Sequence, residues 1–125
     1  MQFGILIAIA LGGAIGSLAR YFVASAIPSP GGFPLGIFIV NITGGFLMGV
    51  IVEASALKLN LTPDIRAFLT VGILGGYTTF STFSLDSVLL LQRGAYGGAA
   101  LYIGGSVVLS IAALFGGLTL VRALA

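Results

Sequence analysis

Gly75-Gly76-Tyr77-Thr78-Thr79-Phe80-Ser81-Thr82-Phe83-Ser84 places five hydroxyl residues (Thr78, Thr79, Ser81, Thr82 and Ser84) within seven positions, near the middle of an apolar run from about Ala67 to Leu91. An apolar run of that length crosses a bilayer as a helix, and polar groups at that depth have no water to satisfy them. The double glycine and the β-branched threonines weaken regular helix here, so we expect a break at Gly75 to Phe80. A break frees backbone carbonyls and amides, which is tolerable at membrane depth only in a protein interior or beside a polar cavity. Carbonyls freed in this way can hold a small hard cation, as channel filters do. The competing reading is an unbroken helix whose hydroxyls bond to their own backbone. The density of the cluster weighs against it.

Working outward, three more apolar runs complete an all-α membrane protein of four transmembrane helices. The first runs from about Phe3 to Ile27 and ends at the turn signal Pro28, Pro30, Gly31 and Gly32. The second covers about Leu35 to Leu57 and the fourth about Gly98 to Val121. Between the second and third lies the most polar stretch, Lys58 to Arg66, read as a loop in water, with Thr62-Pro63 suited to the helix start that follows. Gln92 to Gly97 closes the third span. The four helices and their short loops use nearly all of residues 1–125, which we read as one domain.

Composition agrees. Of the 125 residues, 58% are hydrophobic and 6% charged, against roughly a quarter charged in soluble domains. With no cysteine there is no disulfide framework or thiolate metal site, and with no histidine the commonest general base and metal ligand is missing. The formal charge of +2 comes from scattered basic residues that form no patch for nucleic acid. The first apolar run lacks a basic n-region and is too long for a signal-peptide core, so it reads as a retained helix.

With four spans, the N-terminus, second loop and C-terminus share one side, which holds Lys58, Arg66 and Arg122. The other side holds Arg93 and Arg20, the latter near the far end of the first helix. Basic loops favour the cytoplasm, and three residues against two give almost no bias. Dual topology is therefore a serious possibility beside a topology fixed by a few residues, and its natural symmetric product is an antiparallel dimer.

Gly12 and Gly16, Gly45 and Gly49, and Gly72 and Gly76 are each four apart and argue for tight helix packing. Phe80 and Phe83, three apart, share a face. Their ring edges are electropositive and can receive a small anion without trapping it, although two phenylalanines also simply fill an apolar interior. Asn41, with Thr43 nearby, brings two N–H donors and no charge; it can equally hold helices together. Tyr102, Ser106 and Ser110 form a hydroxyl stripe at four-residue intervals, which reads as a path lining. Glu53 and Asp86 lie about one turn from their helix ends, within reach of the interface. No acid pair, nucleophile–base set, phosphate loop or haem ligand is visible, so the sequence does not support an enzyme.

These residues resemble the Fluc fluoride channels, also called CrcB, along the whole chain. The first helix carries Gly12-Gly13-Ala14-Ile15-Gly16-Ser17-Leu18-Ala19-Arg20-Tyr21, and the second Val40-Asn41-Ile42-Thr43-Gly44-Gly45-Phe46. The third reads Gly72-Ile73-Leu74-Gly75-Gly76-Tyr77-Thr78-Thr79-Phe80-Ser81-Thr82-Phe83, the longest and most specific match. Tyr102 and Ser110 match the fourth-helix positions. The resemblance implies an antiparallel dual-topology homodimer with two pores and a central structural sodium ion, held by backbone carbonyls of Gly75 and Thr78. It further implies pores lined by Asn41, Phe80 and Phe83, with Ser81, Thr82, Tyr102 and Ser110 as a polar track. Arg20 would stand near a vestibule and draw anions in. Asp86 falls where relatives carry an acidic residue, with no role assigned. The implied function is passive fluoride export across a bacterial inner membrane: HF enters, ionises in the cytoplasm and is trapped until a channel releases the anion. Two rivals remain: a proton-coupled exporter of the small multidrug type, which needs a carboxylate deep in the first helix where this chain has only Arg20, and a non-transporting scaffold.

Overall fold

The computed structural model describes residues 2–125, and every regular element among them is helical. Helix α1 (Phe3–Ala26) is followed by a single 3-10 turn (Pro30–Gly32) and α2 (Leu35–Leu57). The third span has two parts. Helix α3, residues 63–77, runs as an α turn (Pro63–Ala67), a π-helical stretch (Phe68–Leu74) and a final α turn (Gly75–Tyr77). After an interruption, α4 (Ser81–Gln92) completes the crossing, and the span as a whole bends by only 18°. Helix α5 (Tyr96–Leu124) is the fourth span. All four crossings are long and apolar enough to span a membrane.

The ends of these helices follow local chemistry. Gly31 and Gly32 take φ of 61° and 79°, left-handed backbone that glycine adopts at no steric cost. Arg93 Nη2 donates to Gly31 O at 3.2 Å, so the two loops on that side are tied together. On the opposite side the loop expected over Lys58 to Arg66 is shorter, because α3 begins at Pro63. Thr62 Oγ1 accepts from Ile65 N at 3.3 Å, Pro63 occupies the first helical turn, and Asp64 faces the positive helix start. The expected start at Ala67 is four residues late.

Packing proceeds by glycine pairs, as expected from the four-residue spacings. A methyl group on Gly72 would sit 2.9 Å from Gly12 Cα, and one on Gly76 would sit 2.7 Å from Gly13 O, so α1 and α3 touch backbone to backbone. Helices α2 and α5 pair in the same way: a methyl on Gly45 would meet Ser110 O at 2.6 Å, and Gly49 lies against Leu114 O. Helix α4 leans on α5 through Phe83, Leu90, Ala99 and Tyr102, with Phe33, Ile37 and Phe38 closing the cluster. Most other large apolar side chains point outward, as suits a lipid solvent.

At the end of the bundle shared by the termini, Arg122 Nε meets Glu53 Oε2 at 2.7 Å. Glu53 is buried at 8% exposure between α2 and α5, and Lys58 Nζ donates to Leu124 O close by. Glu53 lies one turn before the end of α2, as expected, and its carboxylate is engaged by the exposed Arg122.

Candidate functional site: a groove beside the interrupted span

The interruption falls at Thr78 to Phe80, in the second half of the expected window. Gly75 to Tyr77 remain helical, and Thr78 is the first extended residue, at φ −80° and ψ 158°. Two causes place it there. Gly76 is pressed against the α1 backbone, which holds the preceding turn in helical form. The β-branched Thr78 then takes the extended geometry that suits it. Helix α2 crosses at this level, with Gly44 making room for the Thr78 methyl and the Tyr77 ring.

Backbone groups released by the break are mostly satisfied by side chains. Thr79 N donates to Asn41 Oδ1 at 2.9 Å, and Asn41 Nδ2 donates to Thr79 O at 3.1 Å. Arg20 Nε donates to Gly76 O at 3.2 Å. Thr82 N donates to Thr79 Oγ1 at 3.2 Å, which caps the start of α4. No donor among the described residues reaches the carbonyl oxygens of Gly75 or Thr78. Two hydroxyls of the cluster bond back to their own backbone, as the competing reading expected, although the helix is broken: Thr78 Oγ1 donates to Leu74 O and Ser84 Oγ to Phe80 O, and further along Ser87 Oγ donates to Phe83 O.

Beside the break lies an open groove of about 390 Å³, lined by Asn41, Thr78, Thr79, Phe80, Phe83, Ser106, Val107, Ser110 and Ile111. Three spans therefore contribute to one lining. The Phe80 and Phe83 rings stand 5.6 Å apart, tilted at 46°. Phe83 is buried, whereas Phe80 projects from the chain at 78% exposure. Ser106 Oγ and Ser110 Oγ are buried without a hydrogen-bond partner, an unusual state for polar atoms. The lining thus combines serine and threonine side chains, the Asn41 amide and two phenylalanine rings, with no formal charge.

The structure separates the other expected site residues from this groove. Tyr102 continues the stripe of Ser106 and Ser110, but its ring is fully buried 5.3 Å from that of Phe83, and its hydroxyl donates to Asp86 Oδ2 at 3.1 Å. Ser81 is exposed and Thr82 half-buried at the start of α4, and neither lines the groove. Arg20 borders a separate open recess of about 340 Å³ with Ser17, Tyr21, Ala24, Ser25 and Ile37. Its guanidinium reaches the level of the break, deeper than a position near the helix end suggested. Sequence reasoning missed three features: the π-helical stretch, the pairing of Asn41 with Thr79, and the link from Asp86 to Tyr102. The amide pairing had one available signal, since a buried Asn opposite a broken helix meets unpaired peptide groups.

Comparison with known proteins places this geometry in context. The family model described as CrcB-like protein, camphor resistance (CrcB), matches residues 7–118. A protein of Agrobacterium fabrum named fluoride-specific ion channel FluC is 52% identical over 117 residues, covering 91% of this chain and 93% of the relative. Fluoride-specific ion channel FluC 1 of Nitrobacter hamburgensis is 47% identical over 126 residues, covering 99% and 100%. A fluoride-specific ion channel FluC of Caulobacter vibrioides is 49% identical over 121 residues, covering 94% of each.

Proposed function

The chain belongs to the CrcB family, and on that premise we propose that it is a fluoride channel, releasing fluoride passively from the cytoplasm through a multi-pass protein of the bacterial inner membrane. The observation that carries this reading is the groove beside the break, lined by two serines whose hydroxyls have no partner, by Asn41 and by Phe80 and Phe83, without a fixed charge. Fluoride is small and strongly hydrated, so a pore must replace its water with hydrogen-bond donors. Ser106 and Ser110 supply O–H donors and Asn41 supplies N–H. The positive ring edges add weak attraction. A lysine or arginine in the same lining would hold the anion too tightly to let it leave. Chloride, larger and a poorer acceptor, gains less from this set.

The assembly in this reading is an antiparallel, dual-topology homodimer with two pores. The groove is open on one side and Phe80 projects from the chain, which supports a second copy closing the path. The same reading includes a sodium ion between the copies. The donor set fits such an ion: the carbonyl oxygens of Gly75 and Thr78 are hard ligands that no donor among the described residues satisfies, while the neighbouring Gly76 and Thr79 carbonyls are taken by Arg20 and Asn41. Bound there, sodium supplies positive potential and a tie between the two copies.

Arg20, on the recess, supplies a positive potential that attracts anions. The decisive experiment is fluoride efflux from liposomes holding the purified protein, with chloride as control. Fluoride efflux well above protein-free vesicles with little chloride efflux supports the channel. Absence of fluoride efflux from correctly inserted dimers overturns it.

A further inference from the structure

We propose that Asn41 is a positioning residue, and that its amide couples the groove to the free carbonyl of Thr78 by clamping the Thr79 peptide. This rests on the fluoride-channel reading with its sodium ion. The carboxamide engages Thr79 on both sides, accepting from Thr79 N at 2.9 Å and donating to Thr79 O at 3.1 Å. These two bonds grip two successive peptide planes. The N–H of Thr79 belongs to the same rigid unit as the carbonyl of Thr78, and in a trans peptide the two point in opposite directions. With the N–H aimed at Asn41, the Thr78 oxygen is aimed away from Asn41, where no donor among the described residues meets it. The second bond fixes the unit that joins Thr79 to Phe80, and so the backbone from which the exposed ring projects.

One side chain therefore sets both the direction of a candidate cation ligand and the seat of a pore-lining ring. Turning the amide to offer both N–H groups to an anion would orphan Thr79 N and Thr79 O at membrane depth, where unpaired peptide groups are costly. Asn41 thus keeps only one amide hydrogen free while it lines the groove, the other being committed to Thr79 O.

Asn41→Asp tests this with nearly the same shape. The ionised side chain keeps an acceptor for Thr79 N but turns a second oxygen toward Thr79 O. The protonated acid restores a donor there, so one purified protein samples the clamp broken and intact. Two measurements are made on each protein: fluoride efflux at neutral pH as sodium is varied, and the sodium concentration giving half of the maximal thermal stabilisation in detergent, from alkaline to acidic pH. In Asn41→Asp, the expected half-saturating sodium is about tenfold or more above wild type on the alkaline side and returns toward wild type on acidification; wild type stays flat. Reduced efflux with an unchanged sodium requirement at every pH overturns the clamp and leaves Asn41 acting on the anion alone. Unchanged efflux and sodium requirement overturn it as well. Wild-type protein that lacks fluoride efflux or any response to sodium instead refutes the reading on which the proposal stands. Should Asn41→Asp conduct nothing, the thermal readout still decides.

Discussion

Arg20 Nε donates to the carbonyl oxygen of Gly76 at 3.2 Å, joining the first span to the last helical turn before the break in the third. The Gly76 carbonyl has no helical partner, since Phe80 N lies within the interruption and does not reach it. Replacing Arg20 by Met leaves that oxygen unpaired, which costs about 1–3 kcal/mol. We expect Arg20→Met to lower the thermal stability of the detergent-solubilised protein by that amount and to reduce fluoride efflux. Arg20→Lys should recover less than half of either loss, because one ammonium cannot bond Gly76 and keep a charged head in the recess. An Arg20→Met protein as stable and as active as wild type removes the bond from the account.

The aromatic pair gives a second test. Replacing Phe80 or Phe83 by Ile removes the ring edge and keeps an apolar side chain. Each single change should lower fluoride efflux by about tenfold or more, the equivalent of one lost interaction of about 1.4 kcal/mol at the barrier. Size-exclusion chromatography should show the wild-type oligomeric state retained. Phe83 is packed against Tyr102 at 5.3 Å and Phe80 is exposed, so Phe83→Ile should also cost stability while Phe80→Ile should cost less. Undiminished efflux from both variants takes the rings out of the mechanism.

Much of this was legible in the sequence, because lipid imposes simple rules. Apolar runs marked the four spans, and glycines four apart marked the helix pairs that the close approaches of Gly12 to Gly72 and Gly45 to Ser110 realise. The hydroxyl-dense stretch marked a break in the third helix. Its place was legible only to the window Gly75 to Phe80, because Gly75 and Gly76 look like helix breakers until α1 is seen packed on Gly76. The π-helical stretch leaves no trace in a hydrophobic pattern. Nor do distant partners: Asn41 meets Thr79, Arg20 meets Gly76, and Glu53 meets Arg122 across separations of 38, 56 and 69 residues. Tyr102 was grouped with Ser106 and Ser110 by spacing, but its long side chain carries the hydroxyl to Asp86 and out of the groove.

Helix spacing is testable at two glycines of similar sequence context. A methyl at Gly45 would lie 2.6 Å from Ser110 O, a backbone atom that cannot yield without moving α5, whereas one at Gly104 meets nothing within 4 Å. Gly45→Ala should destabilise by about 1–3 kcal/mol and distort the groove, reducing efflux. Gly104→Ala should leave unfolding and efflux close to wild type. Equal behaviour of the two variants contradicts close packing at Gly45.

Thr78 allows main chain and side chain to be told apart. Its hydroxyl donates to Leu74 O within its own helix, while the carbonyl proposed for sodium belongs to the backbone. Thr78→Val keeps the carbonyl and the β-branched shape, so the sodium dependence of efflux should stay within about twofold of wild type. A large loss of sodium response in Thr78→Val assigns the ion to the hydroxyl instead.

The Glu53–Arg122 pair, at 2.7 Å, joins a buried carboxylate to a guanidinium whose side chain is 64% exposed. Because Arg122 stays solvated, forming the pair adds little beyond what water already gives the guanidinium. Losing it strands Glu53, a carboxylate with no other partner among the described residues and little access to water. The two single changes should therefore be unequal. Arg122→Met, which leaves the ionised acid uncompensated, should destabilise more than Glu53→Gln, which leaves a neutral amide beside a solvated cation. Adding Glu53→Gln to Arg122→Met should recover part of the loss, with a coupling energy of about 0.5–3 kcal/mol in a double-mutant cycle read by denaturation in detergent. Strictly additive effects would mean that the two groups are close without being energetically linked, and that α2 and α5 are held at this end by Gly49 and Gly117 packing alone.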